Sequence, residues 1–189
     1  MTFVFQKNSL IDVNEKPYRI VKLLGHGKGG YSYLAEREGV FYVLKQIHHE
    51  PCDYYTFGNK IEAEWNDYHR LSKCDITLPK MIDIDWSKER IVKTYIEGPT
   101  ILELLKQGND VSAYFSQVYE MADKVKEEGL NIDYFPSNFV VSGGELWYID
   151  YECNPYSDAW NFDHWGIRYW SDTQELRDYL KEEKNRPKM

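Results

Sequence analysis

The sequence predicts an α+β chain built as two lobes: a five-stranded antiparallel amino-terminal lobe with one helix, then a truncated, mainly α carboxy-terminal lobe. Three observations predict it. Strand-like runs rich in Val, Ile, Leu and Tyr crowd the first half. Helical periodicity dominates the second half. Gly98-Pro99 interrupts the pattern, so the lobes are expected over residues 1–97 and 98–189.

Residues 18–25, 31–38 and 40–47 are the first three strands. The glycine cluster of residues 25–30 and the pair Glu38-Gly39 separate them, a spacing that predicts two closely linked antiparallel hairpins. In residues 59–74, Ile61, Trp65, Tyr68 and Leu71 fall on one helical face, and Pro79 ends that region. Residues 81–86 and 90–96 complete the five strands, joined by a turn around Ser87-Lys88-Glu89. Further on, Asp110 stands where a helix would be capped, Val111, Phe115, Val118, Ala122 and Val125 share its face, and Gly129 occupies its C′ position. Residues 138–142 and 145–150 flank Gly143-Gly144, a small-hairpin signal. The tail, 171–184, is a helix with a capping box from Ser171 to Gln174.

Composition bounds the function. A chain of 189 residues that is 42% hydrophobic and 29% charged can build a core and is not disordered. Its 23 basic and 31 acidic residues give a net charge of −8, which argues against broad nucleic-acid or anionic-membrane binding. Cys52, Cys74 and Cys153 are too few and too scattered for a disulfide framework or a zinc site, and fit a reducing compartment. No apolar run approaches the roughly 18 residues of a membrane span. The first residues lack the layout of a signal peptide, so a cytoplasmic protein is expected. His48-His49 and Cys52 are expected in a plain loop, and the Trp- and Tyr-rich stretch 147–170 in the core.

Gly25-x-Gly27-x-x-Gly30 lies between two strands. A dinucleotide-binding turn would open a helix after the last glycine, and a P-loop would need Gly-Lys-Ser/Thr; neither is present. A flexible flap whose N–H groups approach phosphates is the use that remains. Lys45 interrupts the apolar run Tyr42-Val43-Leu44, so if it points inward it needs a carboxylate or a ligand. Glu62 and Glu64 are both candidates. Asp133 and Asn138 are separated by five positions across a proline and can aim two oxygens at one centre. Asp150 ends an apolar strand beside them, a donor set that suits a hard cation such as Mg²⁺.

In that order, Gly25/Gly27/Gly30, Lys45, Glu64, Asp133 with Asn138, and Asp150 resemble the signature set of the protein-kinase-like superfamily. The resemblance runs over roughly residues 18–170. It implies a bilobal kinase-like fold around a nucleotide cleft, with ATP and Mg²⁺ as cofactors. By resemblance, Lys45 holds the α/β-phosphates while paired to Glu64, and the backbone of Thr94, Tyr95 and Ile96 contacts adenine. Asp133 accepts the proton of the acceptor hydroxyl, and Asn138 and Asp150 hold Mg²⁺. Asp163-His164-Trp165 resembles the helix start that buttresses the catalytic loop.

The chain differs from ordinary protein kinases in Asn131-Ile132 before Asp133, in Phe135 two residues after it, and in Asp150-Tyr151-Glu152 in place of Asp-Phe-Gly. Asp163 follows Asp150 by only 13 residues, which leaves no room for a normal activation segment. The small size is similar to the RIO kinases, the small kinase of the tRNA-threonylcarbamoylation complex and short bacterial serine/threonine kinases. Asp150-Tyr151-Glu152 is similar to choline kinases and aminoglycoside phosphotransferases. The implied function is an atypical serine/threonine protein kinase or autokinase. The alternatives are a small-molecule kinase of choline or aminoglycoside type, and a non-catalytic nucleotide-binding pseudokinase. A partner protein completing the site is a further expectation.

Overall fold

The computed structural model describes residues 4–50 and 58–185. The chain divides into two compact units, one reaching Asn66 and resuming over Pro79–Tyr95, the other made of Asp67–Leu78 and the residues from Ile96 onward. No helix of the described residues is long and apolar enough to cross a membrane.

The first unit is a curled antiparallel sheet of six strands: β1 (Leu10–Val13), β2 (Lys16–His26), β3 (Gly30–Arg37), β4 (Val40–Ile47), β5 (Met81–Asp85) and β6 (Arg90–Thr94). Their order is β1-β2-β3-β4-β6-β5. The five expected strands are present, and β1 is an addition. It is only four residues long, and its turn to β2 places Asn14 and Glu15 at φ 47° and 65°. That is the left-handed pair a two-residue hairpin demands. Glu is a rare choice there, so composition hid the turn.

Register shifts at Ile20/Lys22 and Leu23/Gly25 in β2 bend the strand, the usual effect of a bulge. The edges of the curled sheet are bridged by side chains: Asn14 Nδ2 donates to Asp83 (2.8 Å) and to the Ile84 carbonyl (3.0 Å). Lys16 pairs with Asp83 and Lys88 with Asp12, both at 2.6 Å. Edge backbone that would otherwise recruit another strand is thereby covered. Inside the curl lie Val13, Tyr18, Ile20, Tyr33, Ala35, Leu44 and Val92, all buried. Helix α1 (Lys60–Leu71) adds Ile61 against Ile47 and Ile91. Trp65 departs from the expected buried face: it is exposed and packs beside Trp86, ring centroids 6.1 Å apart.

The second unit holds α2 (Ile101–Lys106), α3 (Phe115–Glu127), β7 (Leu130–Ile132), β8 (Phe139–Ser142), β9 (Glu145–Tyr148), β10 (Cys153–Pro155) and α4 (Gln174–Asn185). It is therefore less purely helical than expected, because β7 pairs with β10 as well as β8 with β9. Gly143 and Gly144, at φ 60° and 84°, make the expected tight turn. The unpredicted α2 starts at a full capping box, Thr100 with Glu103, a signal readable in the sequence. Asp110 is not the expected cap of α3: it accepts from Ser112 N and Oγ, both at 2.8 Å, ahead of a 3₁₀ turn, Ser112–Tyr114, whose N-cap is Val111, and the N-cap of α3 is Tyr114. The cap of α4 is Thr173, whose hydroxyl accepts from Leu176 N, rather than Ser171. Ser171 lies too far before Gln174, the first residue of that helix, to reach the N–H groups of its first turn.

Candidate functional site

In the first unit, β4 carries Lys45 opposite Ser32 of β3 and Ile91 of β6. Its ammonium is paired with Glu64 of α1; the two side chains are 13% and 14% exposed. Glu62 is exposed and lies in the first turn of the helix, where Asn59 accepts its N–H. Mostly desolvated ion pairs of this kind add little to stability compared with a packed apolar pair.

The glycines divide into distinct roles. A Cβ on Gly29 would stand 3.2 Å from Lys45 Nζ and 3.3 Å from Glu64 Oε1, so the turn lies over the pair at Gly29. Gly30 begins β3 and packs on backbone: its Cβ would come within 2.4 Å of the Gln46 carbonyl. Around Gly25 and Gly27 there is open space. The turn is held by the buried Lys60, which donates to the carbonyls of Lys28 (2.9 Å) and His48 (2.7 Å). Sequence reading missed Gly29 and Lys60; a lysine at the start of an amphipathic helix carries no sign of burial.

Thr94 ends β6 and exchanges two bonds with Lys80: its N–H donates to the Lys80 carbonyl, and its hydroxyl accepts from Lys80 N, both at 2.9 Å. The Thr94 amide is thus engaged within the sheet rather than turned to a ligand. Tyr95 and Ile96 follow outside regular structure.

In the second unit, β7 delivers Asp133 and a 3₁₀ turn over Pro136–Asn138 delivers Asn138. Asn138 Nδ2 donates to the Asp133 carbonyl (3.3 Å), so Oδ1 is the acceptor atom of that side chain. Asp133 Oδ1 accepts from Phe135 N at 3.0 Å. Burial pushes the Asp133 carboxyl above its ordinary value; the Phe135 bond lowers it, and the charges of Glu152 and Asp150 raise it further. Asp150 follows β9, and its Oδ1 accepts from Tyr151 N at 2.8 Å.

Tyr148, fully buried in β9, joins these pieces. Its hydroxyl accepts from Asp133 N (3.2 Å) and donates to the Glu152 carbonyl (2.7 Å). Burial holds that hydroxyl well above the usual tyrosine range, and the Asp150 and Asp133 charges add to it, so it stays protonated. A second support is Trp170, also fully buried, whose indole N–H donates to the Tyr134 carbonyl at 2.7 Å. Asp163 does not start an α-helix. A 3₁₀ turn, Gly166–Tyr169, follows it, and Asp163 accepts from the Tyr119 hydroxyl at 2.8 Å. Gly166 packs so closely on Tyr134 and Phe162 that a Cβ would come within 2.7 Å of each. That close approach, rather than an Asp-led helix, fixes the segment beneath the Asp133 loop.

Phe135 opens a pocket of about 360 Å³. Its ring lies 4.8 Å from Tyr179, 5.2 Å from Tyr169 and 6.5 Å from Trp165. Glu175, Asp178 and Glu182 complete the lining. Aromatic faces and carboxylates together select a cation.

His49 pairs with Glu89 (2.6 Å) in the segment after β4, whereas His48 faces His26. Cys52 lies outside the described residues. Cys74 and Cys153 are buried thiols, and burial pushes Cys153 up to about 12, so it is inert. No family model and no curated protein matches the chain.

Proposed function

We propose that the chain is a Mg-ATP-dependent phosphotransferase of the protein-kinase-like class, acting on a hydroxyl acceptor as an atypical serine/threonine kinase. The observation that carries this reading is the desolvated Lys45–Glu64 pair beneath Gly29. Such a pair is poor value for stability, and it leaves an ammonium beside a glycine turn suited to phosphate.

Lys45 engages the α/β-phosphates, with Glu64 fixing its position. Asn138 Oδ1 and Asp150 fit Mg²⁺, since hard oxygen donors from one or two side chains plus phosphate oxygens are what that ion takes. When bound, Mg²⁺ neutralises phosphate charge. The acceptor oxygen bonds to the γ-phosphorus as the bond to the β–γ bridging oxygen breaks; its proton passes to Asp133, and ADP leaves. A raised carboxyl at Asp133 supports the role of proton acceptor. The adenine contact falls to the backbone of Thr94, Tyr95 and Ile96, of which the Thr94 N–H already donates to the Lys80 carbonyl.

The pocket at Phe135 favours a second reading, a small cationic alcohol as acceptor. A purified-protein assay with γ-labelled ATP distinguishes the two. Label on the chain or on another polypeptide supports the first, and label on cationic metabolites of an extract supports the second. Asp133→Ala is expected to lower transfer by about 10²–10⁴-fold while nucleotide still binds. Transfer at the wild-type rate in that variant contradicts the role of Asp133.

A further inference from the structure

We propose that His26, His48 and Glu50 form a binding site for a divalent transition-metal ion of the zinc class. His26 Nε2 lies 3.2 Å from His48 Nε2 and 3.4 Å from Glu50 Oε2. One donor atom from each residue falls within 4.8 Å of the others. Two donors about 2.1 Å from a zinc ion at the tetrahedral angle stand about 3.4 Å apart, so the two measured edges are those of such a site. Two imidazoles and one carboxylate suit zinc, nickel or copper rather than Mg²⁺, and leave a fourth position for water.

One residue orients two of the three donors. The Tyr31 ring stacks on His26, centroids 4.2 Å apart and planes within 9°. Its hydroxyl donates to Glu50 Oε1 at 2.8 Å, which leaves Oε2 as the oxygen on the His26 side. Support of this kind is what metal ligands ordinarily receive from their neighbours. His48 is held by two contacts: its Nδ1 accepts from Glu50 N (3.1 Å), and its Nε2 lies 2.9 Å from the Gly27 carbonyl. Coordination through Nε2 moves the ring proton to Nδ1 and gives up both contacts. That exchange makes the ion exchangeable rather than permanently held.

His26 ends β2, while His48 and Glu50 follow β4, so the ion joins the two strands that flank β3 and fixes one end of the glycine turn. The site stands apart from the phosphotransferase reading; a consequence for activity rests on it.

The test is calorimetric titration of Zn²⁺ into the untagged full-length chain, with Mg²⁺ as control, alongside thermal melting. One equivalent of Zn²⁺ is expected to bind and to raise the melting temperature, and Mg²⁺ to do neither here. H26A and H48A each abolish the event, Y31F weakens it by about tenfold, and H49A leaves it unchanged. X-ray absorption of the zinc complex shows nitrogen and oxygen neighbours. Absence of zinc binding in the wild type, equal binding by the folded H26A/H48A double variant, or sulfur neighbours in the absorption spectrum would overturn the proposal. ATP-induced stabilisation, measured without zinc, reports on the phosphotransferase reading separately.

Discussion

Lys45 and Asp85 are both charged groups on strands, yet they do different work. Asp85 is buried at the end of β5 and serves the fold. Its Oδ1 accepts from Ser87 N (3.1 Å), Ser87 Oγ (2.8 Å) and Lys88 N (3.0 Å), which closes the β5–β6 turn. Burial pushes this carboxyl up, but those bonds outweigh it and bring it down to about 2. A depressed carboxyl contributes stability above its unfolded value near 3.9 and loses it as pH falls toward about 2. Asp85→Ala is therefore expected to cost roughly 1.5–3 kcal/mol in urea unfolding at neutral pH. The gap between variant and wild type shrinks below about pH 4. A gap that stays constant down to pH 2 contradicts the assignment. Lys45 has a different signature. Lys45→Met is expected to lower transfer by about 10²–10³-fold. Pairing it with Glu64→Gln recovers stability lost to an unpaired carboxylate but not activity.

The glycine turn and its neighbours were partly legible in the sequence. The Gly-x-Gly-x-x-Gly spacing located the turn, but spacing does not say which glycine is crowded. Gly29 and Gly30 are crowded, by a side-chain pair and by backbone respectively, while Gly25 and Gly27 have room. Gly30→Ala is expected to destabilise the β3–β4 hairpin, Gly29→Val to displace the ion pair and weaken ATP binding, and Gly27→Ala to change melting by little. Circular-dichroism melts with and without nucleotide separate these outcomes. Lys60→Met removes the donor shared by the Lys28 and His48 carbonyls and is expected to speed amide exchange in the turn. The same gap explains the other omissions. Strand β1 is short and turns through a glutamate, Trp65 lies at a core-like spacing but meets Trp86 on the surface, and the buttress of the Asp133 loop comes from Trp170 and Gly166. Periodicity reports which face is apolar; it does not report what covers that face.

For the whole molecule, residue order anticipated a β unit followed by a mainly α unit, whereas the second unit also carries the small sheets β7–β10 and β8–β9. It did not anticipate that Asp67–Leu78 would belong to the second. Leu71 and Cys74, at the end of α1 and just beyond it, are buried in that second core, so a segment from the middle of the β half contributes to it. The candidate residues are likewise shared out: Lys45 and Glu64 in one unit, Asp133, Asn138 and Asp150 in the other. We propose that the chain binds Mg-ATP. Melting of the purified chain with saturating Mg-ATP tests it most directly, since a ligand selective for the folded state must stabilise it. The account predicts a rise of roughly 5–10 °C at a hundredfold excess over Kd. That rise is lost in Lys45→Met, and its Mg²⁺-dependent part is lost in Asp150→Ala. An unchanged melting temperature in wild type at saturating Mg-ATP would contradict it.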